Sequence, residues 1–371
     1  MLEFLNVNSP AFGLDISDLS VKAVQLKKKK GGFMLSSFGE FQVPLGVIER
    51  GQIKKEKELA DILKRVRGEI QGAKIRSPYV IASLPEEQAF LQVIQLPRME
   101  RQELESAVRF EAENYVPYSL DTMEMDFETV EPVVDHLNHV DVLLAALPKA
   151  TIDSYVAVLK TAGLIPFALE IESSAVTRAL ILNETAPVPV LVVDLGATRT
   201  SLIVFAGYGL RFTASIAVSS SQLTQAIAQS LNVQVEEAEA LKSQYGLEGQ
   251  DASGKRVLEA LVPLLGDLTL QIKKHMSYYE SHSGHEHLKL VPATIQKIIL
   301  CGGGANLRGL TQFLLRELHK EVSIGNPWVN ILPTSLEELP PLSFAESLRY
   351  TTAFGLALRA ATYDQSSARK G

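Results

Sequence analysis

The chain contains a single cysteine, Cys301, in 371 residues. That excludes an internal disulfide and any zinc site built mainly from thiolates. No apolar run approaches the ~20 residues that a membrane-spanning helix requires. Positive charge is not in excess either. The formal net charge of −7 at pH 7 gives no general attraction for nucleic acid or an anionic membrane. The opening MLEFLNVNSPAFG lacks the basic lead of a secretory signal, so a cytoplasmic setting is expected. What is present is ordinary globular composition, 46% hydrophobic and 21% charged, at a length that favours two or more cores. The run Lys27–Lys30 reads as the solvated end of a hairpin, with contact to acidic lipid or a partner as the alternative.

Periodicity divides the chain into α/β segments. Phe12–Ile16, Val21–Leu26 and Phe33–Val43 read as successive strands, with Gly31-Gly32 supplying the second turn. Leu59, Ile62, Leu63, Val66 and Ile70 place a helix over Glu58–Ile70, and YVIASLP is strand again. A small α/β subdomain is expected over 89–163. Its parts are a strand at Phe90–Leu96, a helix at Arg101–Val116 stopped by Pro117, the strand VDVLLAALP and a helix at Thr151–Ala162. Asp121–Asn138 within it reads as a polar stretch. Later helices are expected around Leu223–Leu231, Val235–Tyr245 and Leu258–Tyr279, with a loop over Gly246–Gly254. The strand KIILC leads through Gly302-Gly303-Gly304 into another helix, and a last helix covers Ser347–Ala360.

Two segments share an interruption. AFGLDISDLSVKAVQL (Ala11–Leu26) and VPVLVVDLGATRTSLIVF (Val188–Phe205) each run as an apolar strand into an aspartate and small or polar residues, then resume as strand. Their aspartates, Asp15 and Asp194, lie 179 positions apart. A tight hairpin between buried strands turns several backbone N–H groups into one cavity, which suits phosphate without a basic side chain. In the second turn Gly196 and Ala197 are compact, and Thr198, Thr200 and Ser201 offer hydroxyls. In the first, Ser17 and Ser20 are the counterparts, while Lys22 balances negative charge. Asp15 and Asp194 are placed to hold Mg²⁺ directly or through its waters. Either hairpin alone reads first as a structural turn, since many buried strands simply end in Asp-Gly turns. Two, each opening an α/β half, fit a nucleotide clamped between domains. IILCGGGANLRGL adds a candidate base and ribose site: Gly302, Gly303 and Gly304 admit close backbone approach, and a helix start favours negative groups. It matches neither a Walker A loop nor the dinucleotide fingerprint.

These stretches together resemble the PilM family of type IV pilus assembly proteins, relatives of the cell-division protein FtsA within the actin-like ATPase superfamily. GLDISDLSVKAVQL resembles the first phosphate motif, VVDLGATRTSLIVF the second and IILCGGGANLRGL the adenosine motif. SSQLTQAIAQSLNVQVEEAEALKSQYG and TTAFGLALRA resemble the family too, so the likeness covers nearly the whole chain. It implies a two-lobed actin-like ATPase fold with an additional small α/β subdomain in the first lobe, around a cleft for ATP and Mg²⁺. The first lobe would comprise 1–88 with its return at 164–187, and the inserted subdomain 89–163. The second lobe would span 188–346, followed by an interlobe helix and polar tail at 347–371. On this mapping Asp15 and Asp194 take the metal side, Ser17 and Thr198 sit at the phosphate turns, and Gly303-Gly304 faces adenosine. Lys273 and Ser277, four apart on one helix face, would border the adenine; their plain reading is a surface lysine and a filler serine. Such enzymes often orient water with a glutamine or acid near the strand entering the first connecting helix. GLIPFALEIESSAVTRAL has no glutamine, leaving Glu170 and Glu172, of which one would face the cleft. A helix-start carboxylate is the alternative role. A second departure is Ser219-Ser220-Ser221, where PilM-like chains often carry paired glycines. Serine still caps a helix there, but close approach to a ligand is reduced.

The resemblance also implies binding of the short cytoplasmic tail of PilN, an inner-membrane protein, near Arg101–Val116 and Val142–Pro148. Recruitment to the inner membrane would then be indirect, self-association would be feasible, and ATP hydrolysis slow at most. Among rival readings, an FtsA-like division scaffold lacks its C-terminal amphipathic anchor here. A sugar or acetate kinase requires a closed acceptor pocket, and a chaperone-like ATPase a substrate-binding extension. A nucleotide-independent structural scaffold is left if the turns bind nothing. The histidines at 282, 285 and 287 have no accompanying sulfur or carboxylate cluster, so no metal site is expected there. Cys301 reads as a small core residue.

Overall fold

The computed structural model describes residues 11–116, 118–130, 139–282, 294–332 and 339–362. β1 (Phe12–Ile16), β2 (Ser20–Lys29) and β3 (Gly32–Gln42) form an antiparallel meander. A short hairpin, β4 (Ile48–Glu49) and β5 (Gln52–Ile53), leads to α1 (Glu56–Val66), whose buried stripe includes Leu59, Ile62, Leu63 and Val66. α1 ends before Ile70 because the Arg65 carbonyl is taken by the N–H groups of Gly68 and Glu69 in a turn. β6 (Gln71–Gly72) pairs with β3, and β7 (Tyr79–Leu84) runs parallel to β1. With β11 (Ile165–Ile171) the strand order is β11-β7-β1-β2-β3-β6. α4 (Glu172–Leu180) follows β11 directly.

Between β7 and β11 the chain builds a second, three-stranded antiparallel sheet from β8 (Phe90–Pro97), β9 (Met123–Val130) and β10 (His139–Pro148), in the order β8-β10-β9. α2 (Arg101–Tyr115) packs Leu104, Val108 and Ala112 against Ile94, Val142 and Leu144 of this sheet. β9 falls in the stretch read as merely polar. Its exposed acids, Glu124 and Glu128, alternate with Met125 and Phe127, so the polar composition conceals a period of two. α3 (Lys149–Thr161) instead contributes Tyr155, Val158 and Leu159 to the core of the six-stranded sheet.

The second half repeats the wiring of the first. β12 (Ala186–Leu195), β13 (Thr200–Gly207) and β14 (Gly209–Ile216) form a meander. α5 (Ser220–Leu231), α6 (Val235–Tyr245) and α7 (Ala252–His282) then cover one face. β15 (Lys297–Cys301) lies parallel to β12, followed by α8 (Leu310–Leu318) and β16 (Glu321–Ile324). The order β14-β13-β12-β15-β16 mirrors β3-β2-β1-β7-β11, and Asp15 and Asp194 are each the penultimate residue of the matching strand. Three expectations are corrected here. α7 begins at Ala252, inside the segment read as loop. The glycine triplet leads into a 3-10 turn, Gly303–Asn306, and α8 starts only at Leu310, so no α-helix N-terminus stands at those glycines. The last helix is divided into α9 (Phe344–Ser347), a 3-10 turn and α10 (Thr351–Thr362). His282 ends α7, and His285 and His287 lie outside the described residues.

α10 packs on both β1 and α4 without spacer side chains. A Cβ on Gly13 would strike the Ala357 nitrogen, and one on Gly355 would strike the Ala175 carbonyl. The three-stranded sheet docks on β14, where Asp141 and Arg211 form an ion pair of 2.6 Å with side chains 3% and 2% exposed. Among the described residues no helix is long and apolar enough to cross a membrane. Removing one member of a buried ion pair strands the other in low dielectric. Arg211→Ala should therefore destabilise the protein by about 3–5 kcal/mol in denaturant unfolding. An unchanged midpoint would show that Asp141 reaches solvent.

Candidate functional site

A cavity of about 500 Å³ lies where the hairpin turns of the two large sheets meet. Asp15, Ser17, Ser20 and Lys22 line it from the first sheet, and Asp194, Gly196, Ala197 and Thr198 from the second. Gly302, Gly303 and Gly304 complete the wall beside Asn306 and Arg349.

The first turn is cross-linked. Ser17 N–H and Oγ both donate to the Ser20 carbonyl, at 2.9 and 3.0 Å, and Lys22 Nζ donates to Ser20 Oγ at 2.6 Å. Ser83 on β7 donates through Oγ to Asp15 at 3.2 Å and accepts the Ile16 N–H at 2.8 Å. Lys22 stands 3.8 Å from the Asp15 carboxylate. In the second turn Gly196 donates to the Arg199 carbonyl at 2.9 Å, and a Cβ there would come within 3.0 Å of that oxygen. Thr200 does not line the cavity; its buried Oγ1 donates to the Val218 carbonyl at 2.6 Å, tying β13 to the approach of α5. Ser201 lines the cavity instead. Gly302 has φ +79°, and a Cβ on it would strike Asp194 Oδ1. Gly303 has only Arg349 near its Cβ direction, at 3.6 Å, so its backbone is the accessible one of the three.

Glu170 and Glu172 diverge. Residues two apart in an unbroken strand share a face, but β11 ends at Ile171 and Glu172 is the first residue of α4. Glu172 lines the cavity. Glu170 is buried away from it, bound by Arg178 at 2.6 Å and Arg359 at 3.1 Å. Lys273 and Ser277 are exposed on α7 and do not reach the cavity. α6 lines it in their stead, through Glu239 and Ser243. Burial works against the Glu239 carboxylate, but hydrogen bonds from Lys242 and Thr224 prevail and hold its pKa below the ordinary value. Lys242 Nζ, in turn, donates to Ser220 Oγ at 3.0 Å and Thr224 Oγ1 at 2.7 Å. Two acids before β8 were not singled out from sequence. Glu87 pairs with Arg199 across the cleft at 2.7 Å, and Glu86 accepts the Ser173 N–H at 3.1 Å. Such pairings join residues roughly a hundred positions apart, and no local pattern announces them.

Eight carboxylates line the cavity: Asp15, Asp18, Glu40, Glu87, Glu172, Asp194, Glu239 and Glu346. Five are engaged on the periphery. Glu40 and Glu87 pair with Arg349 and Arg199, Asp18 accepts the Arg50 and Gly51 N–H groups, Glu239 binds Lys242, and Glu346 binds Ser343. Asp15, Glu172 and Asp194 remain; Asp15 is met by Lys22 and Ser83 and is close enough to Glu172 and Asp194 to act on both. Desolvation raises the Asp15 pKa against the pull of Lys22. Desolvation and then repulsion from Asp15 raise the Glu172 pKa well above its ordinary value. The same two causes lift Asp194 to about 6. Cys301 hydrogen-bonds Asp194, and burial first, then that carboxylate, pushes its thiol well up, so it is no nucleophile. A divalent cation fits this electrostatic deficit. Among the described residues no group of three or more His, Cys, Asp or Glu side chains is arranged to hold a metal, so water or ligand oxygens would complete its shell.

A family model described as type IV pilus assembly protein PilM matches residues 13–361. A solved PilM–PilN type IV pilus biogenesis complex superposes with a TM-score of 0.78 at 27% identity, covering 95% of this chain and 99% of that one. MreB5 of Spiroplasma citri bound to AMPPNP aligns with a TM-score of 0.56 at 13% identity over 98% of each chain, a likeness of fold: the two-lobed actin-like ATPase architecture. Cell division protein FtsA of Escherichia coli K12 is 28% identical over 187 residues, 45% of this chain and 42% of its own length. FtsA of Neisseria meningitidis serogroup B is 25% identical over 194 residues, 48% and 44%. The chain thus spans under half the length of these curated relatives.

An acid whose pKa is raised on folding stabilises the folded state below its unfolded pKa and loses that contribution as pH rises through the folded value. For Asp194 the loss runs from the ordinary 3.8 up to about 6. Asp194→Asn should therefore stabilise the ligand-free protein at about pH 7.5 by on the order of 3 kcal/mol. The gap should narrow towards pH 5 in thermal melts. A gap that widens on acidification would refute the assignment.

Proposed function

The chain belongs to the type IV pilus assembly protein PilM family, and on that premise we propose that it binds ATP with Mg²⁺ in the cleft and recruits a PilN-like inner-membrane partner. The observation that carries the nucleotide reading is the meeting of Asp15 and Asp194, at matching positions of two like-wired sheets, in one cavity with Gly302–Gly304. A polyphosphate alone would be repelled by the three facing carboxylates. Bound Mg²⁺ would supply the charge neutralisation that lets phosphate enter, and Asp15 and Asp194 would hold it.

The turns at Ser17–Ser20 and Gly196–Thr198 offer backbone N–H groups to the phosphates, with Lys22 as the adjacent cation. Gly303 admits the nucleoside against backbone, and Glu239 and Ser243 supply polar groups on the opposite wall. Lys273 and Ser277, standing outside the cavity, are left without a part. Should turnover occur, Glu172 is the carboxylate placed to orient water; Glu170 is committed to two arginines. Burial and the neighbouring acids raise the Glu172 pKa, and a bound cation would draw it back down. The division into lobes 1–88 with 164–187 and 188–346, an inserted unit at 89–163 and an interlobe helix from 347 is proposed on the same footing.

For the partner, Val142–Pro148 is the middle strand of the three-stranded sheet and much of it is buried. The outer face of α2 is open, leaving Phe110 69% and Tyr115 46% exposed. We assign the tail of the PilN-like protein to the α2 side of this unit, so that the chain sits peripheral to the inner membrane.

Titration with a fluorescent ATP analogue should show Mg²⁺-dependent binding that Asp194→Ala weakens by at least about tenfold, with the circular dichroism spectrum unchanged. Equal affinity in the variant would overturn the metal assignment. In a parallel pull-down, Phe110→Ser should release the PilN-like tail without affecting ATP binding. Phosphorylation of a soluble acceptor would favour a kinase instead.

A further inference from the structure

The cleft gathers acids, but the opposite end of the six-stranded sheet gathers cations. β2 starts at the Ser17–Ser20 turn and runs ten residues to Lys29, so its far end lies about 30 Å from the cleft. There Lys27–Lys30 form the exposed tip of the β2–β3 hairpin, with Met34 opposite Lys27 in register and 45% exposed. Beside the tip is a groove of about 860 Å³ between β2, the end of α1 and the segment entering β7. Lys27, Lys64, Arg67, Lys74 and Arg76 line it, and among the described residues no carboxylate does. Lys64 is paired with Asp61 at 2.8 Å. Lys27, Arg67, Lys74 and Arg76 make no ion pair among the described residues. In a chain of net charge −7, this is a local reversal of sign.

We propose that this basic tip and groove are a contact surface for anionic lipid headgroups. Clusters of four to eight lysines and arginines bind anionic membranes through charge alone, and the attraction fades within a Debye length. The groove itself disfavours other polyanions. It presents no aromatic ring on which a nucleic acid base would stack. Its apolar members are Ala73 and the buried Ile75, so it holds no pocket for the anchoring side chain of an acidic peptide. A fluid headgroup layer needs neither. The protruding lysines and the exposed Met34 suit an interface, where long cationic side chains and an apolar one can both be satisfied.

The surface needs neither nucleotide nor protein partner, so its test is independent of the function proposed above. The full chain is floated with vesicles of phosphatidylcholine, with and without phosphatidylglycerol, in about 0.1 M and about 0.5 M salt. Binding should require phosphatidylglycerol and should collapse in the higher salt. Each cation removed should lower partition about fivefold, so Arg67→Gln with Lys74→Gln and Arg76→Gln should lose on the order of a hundredfold. Lys27→Gln with Lys28→Gln and Lys30→Gln should lose as much. The charge-preserving set Arg67→Lys, Lys74→Arg and Arg76→Lys should retain binding. The proposal is overturned if the wild type ignores phosphatidylglycerol, or if correctly melting neutral variants bind it undiminished. It is equally overturned if those variants lose capture on polyglutamate while vesicle binding persists.

Discussion

Burial of three acids, Asp15, Glu172 and Asp194, at one cavity is the constraint around which the two halves of this molecule are arranged. One carboxylate comes from β1, one from β12 and one from the first residue of α4. Burial is the first cause that raises all three pKa values, Asp15 adds to the rise at Glu172 and Asp194, and Lys22 opposes it at Asp15 and Asp194. Two ion pairs bridge to the second half: Glu87 with Arg199 at the cleft, and the buried Asp141–Arg211 pair farther out. Interactions outside the site thus hold it in place, so that on the proposed reading little reorganisation would accompany the arrival of a cation.

α10 transmits this arrangement through the first half. Its small residues allow backbone contact with β1 at Gly13 and with α4 at Gly355, so Asp15 and Glu172 sit on elements that share one helix as a reference. Thr351 and Thr352, at the start of that helix, line the cavity themselves. A change at the cavity therefore has a direct mechanical path to both acids. Close packing with few intervening side chains makes such a path stiff.

The hairpins were legible because the same unusual pattern occurs twice: an apolar strand broken by an aspartate and a small-residue turn. Duplication carries information that one copy lacks, and the mirrored strand orders of the two sheets give that repetition its structural meaning. The glycine triplet was legible for a similar reason, though the helix dipole expected at its end was not found, since a 3-10 turn intervenes. Glu172 could not be separated from Glu170 by spacing alone. The choice depends on where β11 stops, and strand ends are set by tertiary contacts rather than by local pattern. Thr200 and the pair Lys273 and Ser277 illustrate the opposite difficulty. A hydroxyl or an amine of the right type satisfies a motif whether it points at a ligand or at a neighbouring carbonyl. The acids that tie the cleft together left no trace in sequence, because an ion pair between distant segments has no periodicity.

Ser219-Ser220-Ser221 shows how a departure from a family pattern can be absorbed. Paired glycines would let the backbone approach a ligand closely, whereas three serines substitute polar contacts for that freedom. Ser219 Oγ accepts the Gln222 N–H at 3.3 Å and so caps α5. Ser220 lines the cavity, yet its Oγ and carbonyl are both held by Lys242, at 3.0 and 3.2 Å. Lys242 joins Thr224 and Glu239 in the same web, which fixes α6 against the first turn of α5. The wall that would otherwise yield to a ligand is therefore braced, and its cation is spent on protein oxygens rather than on phosphate. On the nucleotide reading proposed above, positive charge at the phosphate end would be left to Lys22 and to the metal, and a wall so braced would be better suited to holding a nucleotide than to closing on one.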